Sequence, residues 1–396
     1  MRKLVLLLLI APGAFAYNEA IHAFITRTAL PDDRILQPPA QKDLEAFRLL
    51  FWRRAMATPA FASRFPTPAS FDAWAFKEFL MLDPAARVHG IDPYDDKPMT
   101  RGEVLALASR WPDDDKRNQH RYLRDSGREI VKASDGSPMP YDPATLDFGS
   151  LTGTTSQGHA HYGLVDGPLS DDPEVLKRDP RRFAVPPTAH AYGAEFAQLY
   201  TDLAALAAES GSTFLAATFA GAAFHHIEDV CNQIHTVQVG IYEFFQAAFV
   251  QSKLRDVKTL GGLLGERRSL KQIGLRLIAN HHLMSEDLFA RQHPGVPEAD
   301  PSLESAPGAL ALVKRIIDIS SEEGPQVYRL AWTFSDPSLR DGVKGHEYES
   351  NKDDPDAFID HSKADALKQF YELQNRGLRR AVAALRIWQK QFPGAP

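Results

Sequence analysis

Gly211-Ser-Thr-Phe-Leu-Ala-Ala-Thr-Phe-Ala-Gly-Ala-Ala-Phe-His-His-Ile-Glu-Asp-Val-Cys-Asn-Gln-Ile-His235 is the stretch that decides how this chain is read. Its apolar residues recur at helical spacing from Gly211 to Val230, and Gly211-Ser212 marks a break from a second apolar-periodic stretch, Thr188 to Ala208. The first helix is rich in Ala, Leu and Phe, yet it ends in His, Glu and Asp. His225 and Asp229 are four residues apart, so a helix puts them on one face about one turn apart. His235 follows six residues later, where the helix is expected to end and let the imidazole fold back. His226 stands about 100° round the helix from His225 and is expected to tolerate alanine.

Outward from this stretch, helical periodicity continues. Glu19–Leu30, Gln41–Met56, Phe71–Leu82, Glu103–Trp111, Ser269–Ala290, Ala309–Ala331 and Ala364–Phe392 all space apolar residues three and four apart. Strand-like alternation is short and rare. The expected fold is all-α, a single helical domain with long inserted loops. Those loops are 132–187, 292–308 and 334–362, rich in Asp, Gly, Ser and Pro, and connections of that length tend to be functional or mobile.

The 396 residues carry Lys+Arg 45 against Asp+Glu 51, a net charge of −6. That gives no broad basic face for nucleic acid. One cysteine, Cys231, excludes an internal disulfide framework and a thiolate zinc site. Residues 1–16 read as a signal peptide: Arg2 and Lys3, the apolar run Leu4–Ile10, then Ala14-Phe15-Ala16. Cleavage would leave a chain from Tyr17 whose charge is 43 − 51 = −8, secreted or periplasmic. No later segment has the eighteen or so unbroken apolar residues of a membrane helix. No cysteine follows the signal to carry a lipid anchor.

Histidines are numerous, 14 in all, and they pair with carboxylates. His282 and Glu286 repeat the four-residue spacing on another helical segment. Ser109-Arg-Trp-Pro-Asp-Asp-Asp-Lys116 places Asp113 in a turn after a helix. Gly158-His-Ala-His-Tyr162 carries two histidines in a Gly/Ser-rich loop, and His22 lies five residues after Tyr17. Imidazole and carboxylate are the ligands zinc takes when thiolates are absent. The plainer alternative is a set of helix-surface polar pairs.

In this order the motifs resemble the zinc-dependent phospholipase C family, the bacterial phosphatidylcholine-hydrolysing enzymes, and the related single-strand zinc nucleases. The resemblance runs from Tyr17 to the C-terminal helix in discrete motifs: His225, Asp229 and His235; Trp111-Pro112-Asp113; His282 and Glu286; His161-Tyr162. It implies domain 17–396 as catalytic, with three zinc ions in a cleft. Asp113, His161, His225 and Asp229 would hold one. Asp229 would bridge to a second, completed by His22 and the amine and carbonyl of Tyr17, which stands where the family has Trp. His235, His282 and Glu286 would hold the third. The spans Asp113–His161 and His235–His282 are longer than the family's, so His159, and less strongly His120, compete with His161.

The resemblance further implies hydrolysis of phospholipids at a membrane surface to diacylglycerol and a phosphorylated head group, by a monomer forming no stable nucleic-acid complex. Asp113 is the expected group to orient the attacking water, with Glu19 as the alternative. A nuclease is less expected because the last ligand is Glu286 rather than Asp and the nucleases' disulfides are missing. An exported metal-binding protein without catalysis is the third reading. Gly240–Phe249, apolar and aromatic, could meet the lipid surface, although packing into the core is the simpler role. No Gly-x-Ser-x-Gly nucleophile motif and no phosphate-cradling Gly-x-x-x-x-Gly-Lys loop is present.

Overall fold

A helix that is apolar all round can only be stable at the centre of a protein, and the chain is built on that consequence. The computed structural model describes residues 19–57, 67, 98–113, 161–166, 173–182, 191, 193–237, 273, 276–277, 280–291, 298–350 and 352–392. In chain order its helices are α1 (Glu19–Ala29), α2 (Gln41–Ala55), α3 (Arg101–Ala108), α4 (Pro173–Arg178), α5 (Gly193–Glu209), α6 (Thr213–Cys231), α7 (Ala309–Phe334) and α8 (Ala364–Gln391). Residues 280–291 add a helical segment between α6 and α7. The only paired strands among the described residues are β1 (Ile35–Leu36) and β2 (Met99–Thr100), antiparallel with Ile35 opposite Thr100. The fold is all-α, as the periodicity requires. The expected helix Phe71–Leu82, the residues 1–16, Tyr17 and Gly240–Phe249 lie outside the described residues.

Every residue of α6 from Phe214 to Cys231 is buried. Around it pack α5, α3, α8, α7 and α1, closing an apolar core that includes Phe47, Phe51, Trp111, Phe219, Phe224, Ile316 and Trp388. A second cluster around Tyr328, Phe334, Phe370 and Leu373 joins α7, α8 and the 280–291 segment. The α5–α6 break falls where the sequence places it. Gly211 adopts φ 88°, a left-handed value that glycine takes without a Cβ penalty. The Ser212 and Gly211 N–H groups then donate to Ala207 O and Ala208 O, both at 3.0 Å, closing the last turn of α5. The Ser212 hydroxyl accepts from Leu215 N and starts α6.

Several boundaries differ from the sequence reading. Ala191 is not helical and α5 starts at Gly193, later than Thr188. The 2.9 Å hydrogen bond from Gly193 N to Tyr162 O ties that start to the segment 161–166. α7 runs on through Pro325 to Phe334. Gly324 stands where a Cβ would meet Gln233 O at 2.8 Å, so α7 closes directly onto the turn after α6.

Candidate metal centre

Burying the polar end of α6 obliges its histidines and carboxylates to find partners. They find one another. His225 Nδ1 lies 2.8 Å from Ser109 O, and a carbonyl only accepts, so the ring proton sits on Nδ1 and Nε2 is left as a bare lone pair. Burial lowers the His225 pKa to about 3, so the ring is neutral. That lone pair lies 3.2 Å from Asp229 Oδ2 and 2.9 Å from His161 Nδ1. His161 Nδ1 is in turn 2.8 Å from Asp229 Oδ2. At most one hydrogen, on His161, serves a bare nitrogen and a carboxylate oxygen together. The convergence has more acceptors than protons, as a cation site does.

Burial alone would raise the Asp229 pKa, but the hydrogen bond from His161 Nδ1 holds the carboxyl well below the ordinary carboxylate value. Its other oxygen, Oδ1, is buried and accepts no hydrogen bond; its closest imidazole is His22 Nε2 at 3.5 Å. Zinc bonds of about 2.0–2.1 Å at tetrahedral angles hold donor atoms roughly 3.4 Å apart, so this pair is spaced to share an ion. His22 stacks on His225 with ring centroids 4.1 Å apart.

A second group follows the same logic. α6 ends at Asn232, whose extended backbone (φ −75°, ψ 116°) turns the chain into the short 3-10 turn Gln233–His235. His235 Nδ1 donates to His161 O at 3.3 Å, leaving Nε2 bare at 3.0 Å from Glu286 Oε1. His282 Nε2 lies 3.0 Å from the same oxygen and makes no hydrogen bond. The Tyr328 hydroxyl donates to Ile234 O at 3.3 Å. His282 Nδ1 lies 3.2 Å from the Tyr328 hydroxyl and 3.2 Å from the Tyr162 hydroxyl, and these contacts aim Nε2 inward at Glu286. Burial lowers His282 to about 3 and raises Glu286 to about 8. Glu286 thus holds its proton more tightly than an ordinary carboxyl, with two imidazole nitrogens converging on it. A cation would replace that proton.

The dipeptide His161-Tyr162 joins the two groups. The His161 ring serves the first and its carbonyl the second, while the Tyr162 ring stacks on His235 at 4.9 Å and 18°. Gly163 makes this approach possible: a Cβ there would fall 2.5 Å from Ile317 Cδ1 and 2.8 Å from Val230 Cγ1.

The structure thus brings His22, His161, His225, Asp229, His235, His282 and Glu286 together, all buried. Two sets can each hold a metal ion: His161, His225, His226 and Asp229, and His235, His282 and Glu286. Asp113 lies in the 3-10 turn Trp111–Asp113 and Glu19 in the first turn of α1, but their side chains, Tyr17, His120 and His159 lie outside the described residues. His226, the neighbour expected to tolerate alanine, belongs by position to the first set. It is buried, stacks on Tyr200 at 5.6 Å and 9°, and points Nδ1 at Asp229 Oδ2 from 3.9 Å. A step of 100° from His225 still leaves it three residues from Asp229, on the flank of the same face. Sequence reasoning also missed Glu228, Ser109 and Tyr328. Only Glu228 left a trace, a second carboxylate at the end of an apolar helix.

Comparison of the chain with protein-family models, with curated proteins and with solved structures found no match.

Proposed function

We propose that this chain is an exported zinc-dependent phosphodiesterase of phospholipase C type, hydrolysing phospholipids to diacylglycerol and a phosphorylated head group. One observation carries the reading: buried imidazole nitrogens and carboxylate oxygens converge at Asp229 with fewer protons than acceptors, and a second His-carboxylate group converges at Glu286. These are the nitrogen and oxygen donors zinc accepts, and they follow one another along the chain in the order of the resembling family.

In this reading His161, His225 and Asp229 would hold one ion, with Asp113 or His226 as the further donor. Asp229, His22 and the Tyr17 terminus would hold a second, and His235, His282 and Glu286 the third. Zinc bound there would neutralise phosphodiester oxygens and lower the pKa of water. Asp113, with Glu19 as the alternative, orients the water that attacks phosphorus. As the water oxygen bonds to phosphorus, the bond from phosphorus to the glycerol oxygen breaks, and the proton the water gives up ends on that oxygen as diacylglycerol leaves.

Purified protein with Tyr17 as its first residue should hydrolyse a chromogenic phosphorylcholine ester and phosphatidylcholine vesicles. A chelator should abolish both activities and added zinc restore them. Zinc-dependent cleavage of single-stranded DNA with inert phosphorylcholine ester would replace the lipase by the nuclease. Zinc binding with neither activity would leave a metal-binding protein.

A further inference from the structure

Glu228 is fully buried on α6 beside Asp229, on a helix whose other buried side chains up to Phe224 are apolar or Thr. A buried carboxylate is costly unless its oxygens are engaged. Both are engaged by one element, α1. Oε2 lies 2.6 Å from His22 Nδ1, and Oε1 accepts from Thr26 Oγ1 at 2.8 Å. His22 and Thr26 stand one turn apart, so the carboxylate grips a single face of α1. The grip fixes more than the helix. A hydrogen on Nδ1 bonded to a carboxylate leaves Nε2 as the lone pair, and Nε2 is the atom that faces the unpartnered Asp229 Oδ1 at 3.5 Å. Stacking on His225 at 4.1 Å holds the ring in plane.

We propose that Glu228 is a positioning residue for the ion shared by His22 and Asp229: through His22 Nδ1 it sets the tautomer, the aim and the basicity of the His22 ligand nitrogen. The inference rests on the metal reading above and deepens it. Carboxylate partners of ligating histidines change metal affinity by about 10–100-fold when removed. A carboxylate that merely stapled α1 to α6 would do the same work as an amide of equal shape.

The experiment is a zinc titration of full-length wild-type, Glu228→Gln and Glu228→Asp proteins against a competing chelator, with melting temperatures of the metal-free forms measured alongside. Glu228→Gln should weaken one zinc equivalent at least tenfold and leave the others within twofold. Its metal-free melting temperature should stay within a few degrees of wild type, and Glu228→Asp should recover part of the lost affinity. Unchanged affinity for every equivalent in Glu228→Gln would overturn the proposal and leave Glu228 a helix staple. Wild-type protein that binds no zinc would defeat the metal reading itself, a distinct outcome. Should Glu228→Gln not fold, the His22 ring nitrogens of metal-free wild-type protein decide by 15N NMR at pH 8. The proton belongs on Nδ1; a proton on Nε2 overturns the proposal.

Discussion

Asp229 Oδ1 lies 3.5 Å from His22 Nε2 and accepts no hydrogen bond, although the atom is buried. A carboxylate oxygen left so in a protein interior would cost on the order of 1–3 kcal/mol unless something charged belongs beside it. Its partner oxygen already serves two histidines. Asp229→Asn keeps the shape and removes the charge. The variant should lose at least one metal equivalent and roughly 100-fold or more in hydrolysis. Metal analysis and initial rates on the same preparation check this.

Glu286→Gln should separate the two groups. Glu286 Oε1 is the atom on which His235 and His282 converge, each at 3.0 Å. An amide there can donate to one bare imidazole nitrogen, so the metal-free variant should melt no lower than wild type. It should bind one equivalent fewer while the Asp229 group keeps its metal. Loss of all metal would mean that the groups are not independent.

The buried titratable groups fix a pH optimum for metal-free stability. His225, His282 and His281 are held near 3, 3 and 4 by burial, below the unfolded value of 6.5. Their contribution is whole above about pH 6.5 and is lost as pH falls toward those values. Glu228 and Glu286 are raised by burial to about 7 and about 8. Their contribution is whole below about 4.5 and is lost as pH rises through the folded values. Between pH 4.5 and 6.5 the histidines outnumber the glutamates, so stability climbs with pH; above 6.5 only the glutamates count, and it declines. Urea midpoints of chelated protein should therefore peak near pH 6.5. Saturating zinc should remove Glu286's share of the alkaline decline, since it holds Glu286 ionised. A midpoint that rises steadily to pH 9 without metal would refute the assignment.

Gly163→Ala tests the approach that places His161. The added methyl would lie 2.5 Å from Ile317 Cδ1 and 2.8 Å from Val230 Cγ1, so side chains on α7 and α6 must give way. We expect a loss of about 1–3 kcal/mol in urea denaturation, accompanied by weaker metal binding because His161 and Tyr162 move with the backbone.

Much of this centre was legible because its spacing is local. His225 with Asp229, and His282 with Glu286, are one-turn pairs that any helix must bring together. His22 was placed by resemblance alone, since the packing of α1 on α6 is a long-range contact that no local pattern encodes. Glu228 was passed over for the same reason: its partners, His22 and Thr26, sit on α1. His226 was read by its angle from His225, whereas its place in the structure is set by its three-residue spacing from Asp229. Ser109 and Tyr328 contribute a backbone carbonyl and a relayed hydroxyl, which side-chain chemistry read along a sequence does not reveal. The late start of α5 has a similar origin, in the hydrogen bond from Gly193 N to Tyr162 O.

The central claim is that these buried histidines and carboxylates surround metal ions. Elemental analysis of tag-free protein beginning at Tyr17, loaded with zinc and then dialysed free of excess, tests it most directly. At least two zinc equivalents per chain should be retained, and three if the Tyr17 terminus completes the site at His22 and Asp229. Retention of less than one equivalent by folded protein would contradict it, and the two groups would then be hydrogen-bonded core clusters with no metal to hold.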